Sequence, residues 1–164
     1  MKKNAQGFTL IELLVVMVIV GILFSFAALS LNARPSPAKL TAYKIQQLLK
    51  LASDDAILRG QIMGWHLGEK SHTFLRYKQQ KWQTLKNDNL LRNSATNKLL
   101  EYHLSIDNLP VNFNKELEPQ VIFMPDGSFS HFSLSIQLKD SEEIYTIYSD
   151  ANKILLSVSD TDEH

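Results

Sequence analysis

The sequence predicts an α+β fold in which a long helical region precedes an antiparallel sheet. Residues 8–31 form an apolar run with one charged residue, Glu12, and residues 38–59 repeat apolar side chains at helical spacing. After Gly60 the apolar period changes to two, which is typical of half-buried strands, and no helical pattern returns. Because the strands follow the helices and do not alternate with them, we expect a helix packed on antiparallel sheet.

The apolar run at 8–31 predicts a helix that crosses a membrane. At a rise of about 1.5 Å per residue, its 24 residues exceed the roughly 20 that span a bilayer. Lys2 and Lys3 precede the run, and the next basic residue is Arg34. The positive-inside rule therefore leaves the N-terminus in the cytoplasm and sends the residues after the run outward.

A break at 32–37 separates this helix from a second one. Pro35 and Pro37 each remove a backbone donor and disfavour helix at the preceding residue. Helix is predicted again at 38–59, and Gly60 is a typical C-terminal stop. The apolar face of this helix follows the spacing i, i+3, i+4 and consists of Ile45, Leu48, Leu49, Ala52 and Ala56.

Alternating apolar residues and turn signals predict the strands of the remaining chain. We expect strands at 62–67, 73–77, 81–85, 100–107, 121–124, 132–138, 144–148 and 154–158. Pro125-Asp126-Gly127 predicts a turn, and the polar, Asn-rich stretch 86–98 predicts a loop. The tail at 159–164 is acidic.

The composition argues against catalytic, metal-binding and nucleic-acid-binding classes. Cysteine is absent, which excludes disulfides and thiolate ligands, and the five histidines lack the close spacing of a zinc motif. Three of them are predicted on exposed strand faces, namely His66, His103 and His131. Apart from Lys2, Lys3, Arg34 and Glu12, the chain has a net charge of −2 and no basic stripe. We therefore expect no enzyme activity, cofactor, metal or nucleic-acid partner.

Two adjacent carboxylates, Asp54 and Asp55, fall within the helix predicted at 38–59. Successive side chains on a helix point about 100° apart, so these two are not expected to share one catalytic site. We expect them to be solvated, or to pair with Lys50, Arg59 or a neighbouring subunit.

Glu12 is the residue of the apolar run that needs an explanation. An acidic side chain costs about 2.5–3.5 kcal/mol at the centre of a bilayer, and less near the interface. One interpretation is a side chain that extends to the cytoplasmic headgroups. The other is a side chain that pairs with a positive group. A new α-amino group on Phe8, four residues upstream, would supply that group if the chain were cut after Gly7.

The N-terminal residues Lys2-Lys3 and Gly7-Phe8-Thr9-Leu10-Ile11-Glu12 resemble the start of type IV pilins and type II secretion pseudopilins. The resemblance implies that a prepilin peptidase cuts between Gly7 and Phe8 and methylates the new N-terminus at Phe8. It also implies that Glu12 acts in subunit assembly. The chain would then comprise a leader at 1–7, a transmembrane helix at 8–31, a break at 32–37 and a pilin-like periplasmic head at 38–164.

Two further stretches, 48–60 and Ile122-Phe123-Met124-Pro125-Asp126-Gly127, resemble the H-type minor pseudopilins of type II secretion. This resemblance implies a structural subunit at the tip of a periplasmic pseudopilus that drives protein export across the outer membrane. The subunit would reside in the inner membrane before assembly. The implied partners are other minor and major pseudopilins, the prepilin peptidase and inner-membrane lipid.

Three alternatives remain at this stage. An ordinary secretory signal peptide would use small residues such as Ser25 and Ala27 before its cut, although the run from Leu13 to Leu31 is long for one. The same superfamily contains minor pilins of type IV pili, some of which bind DNA, and a basic surface strip would favour that function. A membrane-anchored periplasmic enzyme or binding domain would show a deep polar pocket with convergent titratable groups.

The Gly7-Phe8 motif predicts a mature chain that begins with N-methylated Phe8. Replacement of Gly7 by a bulky residue should block the cut and leave the leader attached, because the peptidase must accommodate this position. Intact-mass spectrometry of the wild type and the variant checks both statements. A mature mass that begins at Ala28, or at any residue beyond the apolar run, would contradict the prediction.

Overall fold

In the computed structural model, residues 9–31, 35–85, 88–113 and 117–160 are described. The chain divides into two compact units, Met1–Pro35 and Ser36–His164. We describe each unit by itself and call the second one the head.

The first unit contains one helix, α1 (Leu10–Leu31). Thr9 starts it, because its carbonyl oxygen accepts the backbone N–H groups of Glu12 and Leu13 at 3.1 and 3.3 Å. The Thr9 hydroxyl oxygen also accepts the N–H of Glu12 at 3.4 Å. Among the fully described residues, no helix is long and apolar enough to cross a membrane. The transmembrane span at 8–31 stays a prediction.

The head begins with α2 (Pro37–Arg59), which covers the helix predicted at 38–59. The Ser36 hydroxyl accepts the Lys39 N–H at 3.2 Å and caps the first turn, where Pro37 needs no hydrogen-bond acceptor. Gly60 ends the helix with φ of 61°, a left-handed conformation that glycine adopts without a steric penalty.

In the described part of the chain, ten strands follow α2 and form two antiparallel sheets. They are β1 (Met63–Leu67), β2 (Ser71–Lys78), β3 (Lys81–Thr84), β4 (Ser94–Ala95), β5 (Leu100–Ile106), β6 (Leu109–Pro110), β7 (Val121–Phe123), β8 (Phe132–Leu138), β9 (Glu143–Asp150) and β10 (Lys153–Asp160). The first sheet has the order β3-β2-β1-β7, and β4 pairs with β2. The second sheet has the order β10-β9-β8-β5-β6.

One face of α2 packs against strands of both sheets and closes the core between them. The buried residues of this face are Ala38, Ala42, Ile45, Gln46, Leu49, Ala52 and Ala56. The largest buried side chains come from the strands and include Trp65, Phe74, Phe123, Phe132 and Tyr145. Helix on antiparallel sheet confirms the predicted α+β class, with two sheets under one helix.

The predicted hairpin is confirmed, and its turn is shorter than the sequence suggested. Gln79 and Gln80 form the turn between β2 and β3, with φ of 53° and 60°. A two-residue turn with positive φ at both positions matches the right-handed twist of the strands that flank it. The predicted loop at 86–98 contributes β4 to the first sheet and the buried Leu91 to the core.

Alternation in the first strand predicted that one of its faces, with His66, is exposed. This prediction is wrong, since all five residues of β1 are buried. α2 packs against β1, and Pro119 lies against Gly64 of the same strand. The side-chain amide of Gln120 also bonds the backbone N–H and carbonyl of Leu67 at 2.8 and 3.1 Å. The segment around Pro119 and Gln120 therefore covers β1. Both faces of this strand are buried, although its apolar residues alternate in the sequence.

Gly64 is required by this close approach. A Cβ at Gly64 would lie 2.5 Å from Pro119 Cβ and 2.9 Å from Trp82 Cζ3. We predict that Gly64→Ala lowers the free energy of unfolding by about 1–3 kcal/mol, the usual cost of overpacking, as measured by urea denaturation.

Pro119→Gly provides the control for this clash. The double variant Gly64→Ala/Pro119→Gly should lose less stability than the sum of the two single variants, because the Pro119 side-chain atoms that collide with the new Cβ are absent. Equal stability of Gly64→Ala and the wild type would contradict the predicted close contact.

Candidate functional site

The predicted processing site, Gly7-Phe8, lies outside the described residues. The predicted assembly residue, Glu12, occupies the first turn of α1 and is exposed. In the described part of the chain, both recorded ion pairs involve Asp55, so Glu12 has no basic partner there.

The helix that carries Glu12 exposes apolar side chains on every side. Each large hydrophobic residue from Leu10 to Phe24 is between 39% and 86% exposed. A helix that is apolar all round is stable in lipid or among other apolar helices. Glu12 is the acidic residue of its first turn, and its last turn has no basic residue. The surface of α1 thus combines a continuous apolar cylinder with one carboxylate near its start.

The head presents a second apolar surface on the outer side of α2. Leu40 and Tyr43 are 57% and 49% exposed near the start of the helix, and Leu58 is 84% exposed near its end. Leu58 follows Leu40 by 18 residues, about five helical turns, so the two side chains point in the same direction. We call Leu40, Tyr43 and Leu58 the outer stripe of α2.

Asp55 holds a charged cluster at the end of α2. Its carboxylate lies 2.5 Å from Arg59 Nε and 3.1 Å from Arg76 Nη2. The pairing with Arg59 agrees with the sequence interpretation, and Asp54 is exposed on a separate face, as expected from the helical geometry. Arg76 was missed, because it lies on β2, 21 residues away along the chain.

The histidines have three different environments. His103 and His131 are exposed, as predicted, whereas His66 is buried, which contradicts the prediction. Its Nδ1 lies 2.7 Å from the carbonyl oxygen of Glu118, which covers this side of β1. Among the described residues no group of His, Asp and Glu could hold a metal ion.

His72 is buried between the aromatic rings of Trp65 and Phe74. Trp65 Nε1 donates a hydrogen bond to His72 Nδ1 at 3.4 Å. Burial lowers the pKa of His72 to about 4, and the nearby Lys44 ammonium group lowers it as well. The imidazole is therefore neutral at physiological pH, and its role in the head is to accept a hydrogen bond within the core.

Comparison with known families assigns both parts of the chain. Residues 2–28 match the family described as "Prokaryotic N-terminal methylation motif". Residues 41–159, which is most of the chain, match the family described as "Type II transport protein GspH". The chain belongs to the GspH family. It is a minor pseudopilin of a type II secretion system, which is a structural protein and not an enzyme. The methylation motif and the family together imply a membrane-anchored subunit of a periplasmic pseudopilus.

Related sequences support this GspH assignment. Type II secretion system protein H of Aeromonas hydrophila is 24% identical over 181 aligned positions, which cover 99% of each chain. Type II secretion system protein H of Escherichia coli K12 is 30% identical and the alignment covers 80% of each chain.

Solved structures of GspH proteins share the fold of the head. The minor pseudopilin EpsH from the type 2 secretion system of Vibrio cholerae matches with a TM-score of 0.63 at 26% identity. The match covers 78% of this chain and 100% of that one. The solution structure of E. coli GspH has a TM-score of 0.59 at 23% identity, covers 77% and 89% of the two chains, and shows a common fold.

We predict that His72 makes the head less stable in acid. The unfolded chain binds a proton at His72 near pH 6.5, whereas the folded head does so near pH 4, so the unfolded state holds more protons between these values. The free energy of unfolding should therefore fall as the pH drops through this window, by roughly 3 kcal/mol at most.

Urea denaturation at a series of pH values checks this dependence. His72→Phe should remove its share of the slope, and the control His131→Phe, at an exposed position, should keep the slope of the wild type. An identical slope in His72→Phe and wild type would contradict the assignment.

Proposed function

We propose that this GspH-family chain is inserted in the inner membrane by residues 8–31, with its N-terminus in the cytoplasm and its head in the periplasm. Prepilin peptidase then removes residues 1–7 and methylates Phe8. The subunit joins the tip of the pseudopilus, where it contacts other minor and major pseudopilins and supports protein export across the outer membrane. The match of residues 2–28 to the N-terminal methylation motif supports this sequence of events.

The observation that carries the proposal is the single carboxylate in an apolar helix. Glu12 lies four residues after Phe8 in the sequence, a spacing that corresponds to about one helical turn. Within lipid, each subunit keeps Glu12 near the cytoplasmic interface. When helices bundle in a filament, Glu12 of one subunit pairs with the Phe8 amine of its neighbour.

The strength of that pair depends on burial. Removing one partner of a buried ion pair costs about 3–5 kcal/mol, because the other charge is left without compensation. A solvated pair at the membrane surface contributes only about 0–1 kcal/mol. Glu12 therefore contributes strongly to assembly only in a packed bundle of apolar helices.

The outer stripe of α2 supplies a second contact surface. Leu40, Tyr43 and Leu58 expose apolar area near the two ends of the helix while the opposite face is buried in the core. Burial of such side chains against neighbouring helices is favourable at about 25 cal/mol per Å² of apolar area. The proposal therefore extends the filament contacts from α1 to the head.

The GspH match favours this function over the alternatives. It covers residues 41–159, which is nearly the whole head, and so it supports a secretion pseudopilin over a minor pilin of a type IV pilus. The enzyme and ligand-binding alternatives have no support from the family assignment.

We predict that Glu12→Ala is inserted and cleaved normally but fails to assemble. Insertion depends on the apolar run, and cleavage depends on Gly7-Phe8, so neither needs the carboxylate. Association with other pseudopilins should fall by at least about tenfold, since the neighbour's amine would be buried without its counter-charge. Leader removal, co-purification and secretion are scored beside the wild type.

Glu12→Gln and Leu13→Ala provide the controls. Glu12→Gln keeps the shape and removes the charge, so it should behave like Glu12→Ala. Leu13→Ala truncates the adjacent side chain and keeps the charge, so it should assemble. Normal association and secretion in both Glu12 variants would refute the pairing and leave Glu12 as a solvated residue at the membrane surface.

A further inference from the structure

A groove lies where α2 ends beside the hairpin of β2 and β3. Its volume is about 820 Å³, and its charged lining residues are Arg59, Arg76, Lys78 and Asp88. Lys81 is the direct cross-strand partner of Lys78 and adds a further positive charge at the hairpin turn. We call the surface formed by Arg59, Arg76, Lys78 and Lys81 the hairpin groove.

Positive charge exceeds negative charge in the hairpin groove. Arg59 and Arg76 share the carboxylate of Asp55, and both also interact electrostatically with Asp88. The carboxylate of Asp88 already accepts two backbone N–H groups of its own loop, at 2.8 and 2.9 Å. Among the described residues, four cations therefore lie beside two carboxylates, and both carboxylates are already engaged.

Two features of the hairpin groove are unfavourable for the isolated head. Lys78 and Lys81 lie directly opposite each other, and like charges in that position destabilise a strand pair. Arg76 Nε is buried and has no hydrogen-bond partner among the described residues. Such a donor has lost its water without gaining an acceptor. A carboxylate placed in the groove would compensate the lysines and the exposed part of the Arg76 side chain, which is 22% exposed.

The hairpin groove lies at the end of α2 opposite to the residue at which the chain enters the head. The 23 residues of α2 extend over about 34 Å. At the other end, Ser36 interacts with the side chain of Tyr145, which also interacts with Glu143. The strand register pairs Glu143 with residue 160 at this end, and Lys39 lies in the first turn of α2. The cations of the hairpin groove therefore lie at the end of α2 that is far from Ser36.

We propose that the hairpin groove docks a carboxylate-bearing segment on the head of a different pseudopilin in the same filament. Contacts between unlike surfaces, repeated from one subunit to the next, build open helical filaments, and the excess of cations in the groove suits a partner surface that carries carboxylates. The partner is a different subunit because this chain is a minor pseudopilin.

This inference rests on the proposed function, and photo-cross-linking of the full-length chain tests it. A photoreactive amino acid replaces Gln83, which lines the groove without contributing charge, and the chain is expressed with the other pseudopilins of its secretion system. We expect an adduct whose mass and tryptic peptides identify another pseudopilin, cross-linked through an acidic segment of its head.

Charge reversal then tests the electrostatic basis. Lys78→Glu should reduce the adduct by at least about tenfold, because like charges at a contact are strongly unfavourable. The same change turns the Lys78–Lys81 pair into an opposite-charge pair, so the head should not lose stability. Lys139→Glu is the matched control, since it reverses one exposed lysine outside the groove and should leave the adduct unchanged.

The remaining outcomes separate this inference from the proposed function. If the chain co-purifies with other pseudopilins but gives no adduct at position 83, or if Lys78→Glu forms the adduct as well as the wild type, the docking groove is wrong and the function stands. An adduct with a second copy, or one that nuclease removes, also overturns the groove. If no pseudopilin co-purifies with the wild-type chain, the proposed function itself fails.

Discussion

One face of α2 must close the core of two sheets at once, and the rest of the head depends on this packing. Four of its buried positions are alanines, at 38, 42, 52 and 56, so the helix backbone can approach the strands closely while Trp65, Phe74 and Phe132 fill the space. Gln46 adds a specific contact, because its Nε2 donates to the carbonyl of Ile154 at 3.1 Å on β10. A helix capped at Ser36 and stopped at Gly60 has the length that this contact surface requires.

The same length separates the charged cluster around Asp55 from the start of the head. Asp55 and Arg59 lie in the last turns of α2, and Ser36 with Glu143 lies near its first turn. The interior between them is apolar apart from hydrogen-bonded groups such as His72, which the core keeps neutral. Packing therefore confines charge to the ends and the surface, where it is available for contacts between subunits.

The carboxylates of Asp55 and Glu12 differ in how much free energy their ion pairs contribute. Asp55 has 15% of its side chain exposed and pairs with two arginines. Water screens each ion pair, and loss of one arginine leaves the other in place, so each pair contributes little free energy. Glu12 lies in an apolar helix, where a counter-charge is required as soon as other helices exclude water. The proposed assembly mechanism uses this dependence on burial: a charge tolerated near a membrane interface becomes a strong constraint within a bundle.

Local chemistry was sufficient for most elements of the fold. Pro35 and Pro37, the apolar period of α2 and Gly60 predicted that helix nearly to the residue, because these signals act within a few positions along the chain. Alternation predicted β8, β9 and β10 for the same reason. β4 and β6 were missed, since two-residue strands have no measurable period and form only because a partner strand is already in place.

The sequence by itself determined the family signature, the order of helix and strands, and the isolated position of Glu12 in an apolar run. Tertiary structure alone decided that His66 is buried, because Glu118 comes from 52 residues away to cover it. It also decided that Arg76 reaches Asp55 across 21 residues and that Lys78 lines a groove with Arg59. Those features arise from contacts between segments distant along the chain, and periodicity carries no information about which distant segments meet.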